Sequence, residues 1–212
     1  MTGTPQIDFG DPRGLADLGT YLGRARKANP DGAVRLQVLG TLLVTTVAVI
    51  EGSGLMGEGT VLGMRVVSIA PSGSVDATVS FAAVSDRLAR DDGGSVLSVP
   101  PTTVRAPWSG LTPPRDGWEP VGQIDGEAVD SIARQGIAQV AEGTPDGAGS
   151  HAVDALRRRT WAAMSDTVPP IAAGLAFGAH VLGFTAAGEP ASISAHGRWT
   201  RLSTARGHVL VR

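Results

Sequence analysis

Residues 100–120, PPTTVRAPWSGLTPPRDGWEP, carry six of the chain's fourteen prolines and two of its four tryptophans. Proline fixes the backbone and removes a donor, so the stretch continues neither a helix nor a central strand. A loose spacer has no use for large apolar rings, whereas Trp108 and Trp118 each present a surface that burial stabilises. The stretch therefore reads as a stiff, packed connector, with a proline-rich ligand for a partner domain as the competing reading. It divides the chain: upstream the pattern is mostly strand, downstream mostly helix.

Upstream, residues 11–29 place Leu15, Leu18, Leu22 and Ala25 on one helical stripe, with Asp11 as cap and Pro12 in the first turn. Arg24, Arg26 and Lys27 fall at the C-terminal end, where positive charge suits the helix dipole. After the turn Asn29-Pro30-Asp31-Gly32 the period changes to two. Val34, Leu36 and Val38 alternate with polar neighbours, Thr41–Ile50 is apolar on both faces, and Thr60–Ile69 and Val75–Ala83 follow as further strands. Their short connections predict an antiparallel meander. A short helix at Ser85–Leu88 and a strand at Ser95–Val99 complete this part.

Downstream, Asp125 precedes a helix whose Val129, Ile132, Ala133, Gly136, Ile137 and Val140 fit one apolar face, with Gly143 just past its end. A loop, TPDGAGS, leads to a second helix near Ser150–Met164, with Val153, Leu156, Trp161 and Met164 inward and Arg157–Arg159 outward. A third runs from Pro169-Pro170 through IAAGLAFGAHVLGF without one charged residue, which predicts burial on nearly every side; it is too short to span a membrane. The ending RWTRLSTARGHVLVR reads as two strands around a three-residue turn with Gly207 in the left-handed position. The predicted fold class is α+β. It has an N-terminal helix with an antiparallel meander over 1–99, the Trp/Pro connector over 100–124, and a three-helix part closed by a hairpin over 125–212.

The absence of cysteine removes disulfides, thiolate nucleophiles and cysteine metal sites. The first residues, MTGTPQIDFGDPR, show no basic region leading into an apolar run, so no secretory signal is read and the cytoplasm is expected. The net charge of −2 hides an asymmetry. Residues 1–150 hold 11 Lys+Arg against 17 Asp+Glu, and residues 151–212 hold 7 against 3 together with all four histidines. Such a split lets the two parts attract each other, or suits an anionic partner for the second.

Gly52, Gly54 and Gly57 form a literal GxGxxG after an apolar strand, the pattern of a dinucleotide phosphate loop. The segment that should then be a helix, EGTVLGMRVVSIAP, is β-branched and broken by Gly63 and Pro71, so a glycine-rich hairpin loop is the reading and no cofactor is expected. No GxSxG is present, and no catalytic motif assigns an enzyme activity. His180 reads as a hydrogen-bonded core histidine, since no acid or second histidine lies three or four residues away. His196 and His208 lack a third ligand, and no metal is expected. Asp91-Asp92 before Gly93-Gly94 reads as a solvated loop. Arg157, Arg158, Arg159, Arg198, Arg201 and Arg206 are the candidates for contact with an anion or a partner. Three helices followed by a hairpin suggest a winged helix, but the third helix offers no basic residue to DNA, which sets nucleic-acid binding behind a binding or scaffolding role. Gly174 and Gly178 allow close helix approach, within one chain or between two copies.

The tracts VLGMRVVSI (61–69), APWSGLTPPRDGWEPVG (106–122), GAHVLGF (178–184) and WTRLSTARGHVLVR (199–212) together resemble a family of conserved actinobacterial proteins with no assigned function. The likeness covers most of the chain. It implies a bacterial, cytoplasmic protein and brings no activity, cofactor or catalytic residue. The functional expectation is a non-catalytic binding or scaffolding protein that self-associates. Nucleic-acid binding through 151–212, and an enzyme or sensor for a small anionic ligand, stand as alternatives; no membrane partner is expected.

Overall fold

Asp11 accepts a hydrogen bond from the Arg13 amide at 2.8 Å, Pro12 takes the first helical position, and Arg26 and Lys27 close the last turn of α1 (Pro12–Ala28). The computed structural model describes residues 4–54, 57–90, 93–144 and 149–212. In it the stripe Leu15, Leu18, Leu22 and Ala25 is buried, joined by Tyr21. The chain divides into two units, Met1–Val49 with Met64–Leu111, and Ile50–Gly63 with Thr112–Arg212.

In the first unit β1 (Gln6–Asp8) pairs antiparallel with β6 (Val96–Ser98). β2 (Ala33–Leu39) forms a hairpin with β3 (Leu42–Ile50), and its other edge takes β5 (Asp76–Ser80), so that Val34 faces both Val47 and Val79. The strand order is β5-β2-β3-β4, with β4 at Val61–Ser68. Arg65 on β4 pairs with Asp17 on α1 at 2.6 Å. The strand expected over Val75–Ala83 stops at Ser80, whose Oγ accepts from the Ala83 amide at 3.2 Å and caps α2 (Phe81–Leu88). The helix thus begins at Phe81, not at Ser85. Phe81 and Val84, three apart, are both buried, a helical spacing hidden in what reads as alternation. Trp108 sits in a 3-10 turn, Pro107–Gly110, and is 3% exposed.

In the second unit four strands, β7 (Glu119–Asp125), β8 (Pro190–His196), β9 (Trp199–Thr204) and β10 (Gly207–Val211), pair antiparallel in sequence order. Ile124, Ala191, Ile193, Leu202 and Val209 share one buried face. Against β9 and β10 packs α5 (Ala173–Leu182), which also meets α3 (Gly126–Glu142) and α4 (Ser150–Ala162). As its lack of charge predicts, α5 buries seven of its ten residues.

The expected terminal hairpin is therefore half of a meander. β7 and β8 escape the sequence pattern because Pro120 and a register shift between Pro120 and Gly122 break the alternation of β7, and β8 begins with a proline. The β9–β10 loop has two residues, Ala205 and Arg206, because Gly207 pairs with Thr204 as the first residue of β10. Helix α5 starts at Ala173, after the prolines instead of at them. Met164, read as inward, is 60% exposed, since α4 ends at Ala162; Ile137, read onto the buried face of α3, is 39% exposed. The fold class is α+β as predicted. Asp91-Asp92, Leu55-Met56 of the glycine tract, and residues 145–148 of the TPDGAGS loop lie outside the described residues. Among those described, no helix is long and apolar enough to cross a membrane.

Candidate anion-binding site

Opposite the buried face of the second unit's sheet, the register puts Ser192, Ser194, Arg201, Ser203 and His208 together. Arg201 reaches across β8, its Nε donating to Ser194 Oγ at 3.3 Å, and its guanidinium lies over the Trp118 ring, 4.3 Å from the centroid. Two local features hold that indole. Its Nε1 donates to the Pro114 carbonyl at 3.0 Å, so the rigid Pro113-Pro114 step anchors it. Gly117, at φ 70°, turns the chain into β7 where a Cβ would lie 3.1 Å from the His196 ring. His196 itself stands 6.0 Å from Trp118, tilted by 59°.

Electrostatics distinguish Arg201 from Arg35 and Arg65, which are buried to a similar degree. Arg35 has Asp76 at 2.8 Å and Arg65 has Asp17; even the more exposed Arg206 has Glu189 at 3.5 Å. Arg201 has no carboxylate partner among the described residues, and burial holds its pKa below the ordinary value. Next to it, His208 Nδ1 shares a hydrogen bond of 2.9 Å with Ser203 Oγ. Burial first, and then the Arg201 charge, push the His208 pKa down, which keeps the ring neutral. The site is thus one desolvated cation on an aromatic plate, ringed by hydroxyls.

The remaining candidates lie elsewhere. Arg157, Arg158 and Arg159 are exposed on α4, and Arg198 is exposed in the turn between β8 and β9. Arg206 is engaged by Glu189 and donates to the Thr185 carbonyl at 3.1 Å. Gly52, Gly54 and Gly57 lie in the connection from β3 to β4, where Ser53 bridges Glu58 and a strand follows. Helix α5 is too buried, and the hairpin too deeply part of the sheet, to stand as a recognition helix and wing.

His180 is hydrogen-bonded as predicted, but its partner comes from fifty residues away: Nδ1 lies 2.8 Å from Asp130 Oδ1, which also accepts from Thr185 Oγ1 at 2.7 Å. A search three or four positions along one helix could not find it. Such a carboxylate fixes the orientation of the imidazole, the device that general bases use. Nothing local in the sequence pairs Trp118 with Arg201 either. The available signal was composition: residues 190–212 contain four arginines, two histidines and no acid.

Residues 2–110 match a domain of unknown function, DUF8010, and residues 113–212 match a second, DUF8185. The chain belongs to the DUF8010 family. The DUF8010 match ends at Gly110 and the DUF8185 match begins at Pro113, inside the proline- and tryptophan-rich tract, so Trp108 falls in the first and Trp118 in the second. No curated protein matches the chain. Among solved structures it is similar to the Helicobacter pylori beta clamp bound to a DNA ligase peptide, at TM-score 0.50 and 11% identity, over 98% of this chain and 64% of that one. The same clamp in complex with 3,4-difluorobenzamide gives TM-score 0.51 at 11% identity, again over 98% and 64%. The DNA polymerase III subunit beta of Pseudomonas aeruginosa gives 0.50 at 14%, over 98% and 63%. At such identities the likeness is one of fold, and the DUF8010 chain spans less than two thirds of these proteins.

Proposed function

We propose that this chain is a non-catalytic binding or scaffolding protein that associates with copies of itself. The observation that carries the reading is the likeness of 98% of the chain to clamp structures, one of them bound to a peptide of another protein. The Arg201–Trp118 pair adds a built contact on a sheet face, the kind of surface a binding protein presents. The resemblance noted in the sequence supports an actinobacterial, cytoplasmic setting. Light scattering on the full chain at micromolar concentration tests self-association, with a mass of at least twice 21.6 kDa expected. A mass of one chain at every concentration would remove it.

A second reading, nucleic-acid binding through 151–212, draws on the exposed run Arg157–Arg159. It requires a salt-dependent mobility shift with duplex DNA at low ionic strength, and absence of that shift eliminates it.

A further inference from the structure

We propose that the face of β8, β9 and β10 centred on Arg201 and Trp118 is a docking site for an acidic peptide segment of a partner protein, whose Asp or Glu carboxylate pairs with the Arg201 guanidinium. The inference rests on the reading of the chain as a binding protein and names the chemistry of what it binds.

Three observations point to a carboxylate. Arg201 is half-buried and has no acid among the described residues, although desolvating a guanidinium is unfavourable unless an anion compensates it. Its Nε is spent on Ser194 and one face lies on Trp118, which leaves the Nη edge as a fork of donors held in one orientation. With His208 beside it held neutral, the site offers a single positive charge, the match of one carboxylate; a phosphate dianion would need a second cation.

Two further observations choose a peptide. Trp118, Ser194, Arg201, Ser203 and His208 stand half-exposed on a sheet face, which encloses a small free acid poorly but seats a side chain whose neighbours supply the remaining contacts. The three strands of the face suit an acidic segment, since residues 190–212 hold no Asp or Glu.

The test is an NMR titration of the full, isotopically labelled chain with an end-blocked hexaglutamate peptide, followed at the Trp118 indole N–H. The expected result is a saturable shift of that signal with hexaglutamate and none with hexaglutamine. Arg201→Gln should bind about tenfold more weakly, the loss of one charge-assisted contact. The same spectrum reports whether the variant is folded. Should it not be, Ser194→Asp places a carboxylate beside the Arg201 Nε and should block the peptide in the same way. Equal response to hexaglutamine, no response to hexaglutamate, or unchanged binding by the folded variants overturns the proposal. So does a response to inorganic phosphate or a single-stranded oligonucleotide at lower concentration than to the peptide. A single-chain mass in light scattering would leave this titration intact, and a silent titration would leave the mass intact, so the two readings fail separately.

Discussion

His180 Nδ1 lies 2.8 Å from Asp130 Oδ1 and ties α5 to α3. Burial pushes the Asp130 carboxyl up, but hydrogen bonds from Thr185 and His180, with the nearby charge of Arg134, outweigh it and hold the pKa below 3.8. Asp130→Ala leaves a hydroxyl and an imidazole without their acceptor. It should lower the unfolding free energy by about 2 kcal/mol in urea titrations. Asp130→Asn, which keeps an acceptor oxygen, should cost less. If the two variants are equally stable, the pair does not hold the helices.

A Cβ at Gly136 of α3 would collide with the six-membered ring of Trp161, and that indole stacks on Phe177 with centroids 4.3 Å apart. At Gly126 a Cβ would meet the carbonyl oxygens of Ala186 and Glu189, and backbone does not swing aside. Gly126→Ala and Gly136→Ala should each destabilise the chain by about 1–3 kcal/mol, read as a lower thermal midpoint. Gly149→Ala, where a Cβ meets nothing within 4 Å, is the matched control.

Trp108 is buried with no hydrogen-bond partner for its Nε1 among the described residues. An orphaned donor costs about 1–3 kcal/mol, so removing it offsets much of the volume lost when the indole becomes a smaller ring. Trp108→Phe should therefore change stability by under about 1 kcal/mol, and Trp108→Ala should cost about 3–5 kcal/mol. A large loss in the phenylalanine variant would show that the indole nitrogen is satisfied.

Stability should fall with acid in two steps. His208 has a lowered pKa in the folded chain, so the unfolded chain binds its proton first. Stability from that site is complete above 6.5 and is lost as pH falls from there through the folded value. Asp8, Asp76 and Asp130 are each held below 3.8, so theirs is complete above 3.8 and is lost below it. Urea midpoints measured down the pH scale should show both declines. Arg201→Gln removes a positive charge beside His208 and should shrink the upper one.

Local sequence signals read well wherever one residue decides one feature. Asp11 and Asp125 cap α1 and α3 as their positions predict, and the uncharged run of α5 is buried. They read poorly where two local patterns overlap. Val79-Ser80-Phe81 fits a strand and a helix start alike, and the cap formed by Ser80 settles it. The tract 100–120 reads as stiff and aromatic, and its two tryptophans fall in different units, one buried and the other half-exposed against Arg201.

The sequence by itself determined the α+β class, the capped helices, the central strands and a C-terminal part rich in arginine and free of cysteine, because each depends on neighbours within a few residues. The tertiary structure alone decided that Arg201 stacks on Trp118 while Arg206 is held by Glu189, and that His180 meets Asp130. Those pairings depend on strand register and helix packing, which bring together residues up to eighty-three positions apart. No periodicity of the chain encodes which of six similar arginines is laid half-buried on an aromatic ring.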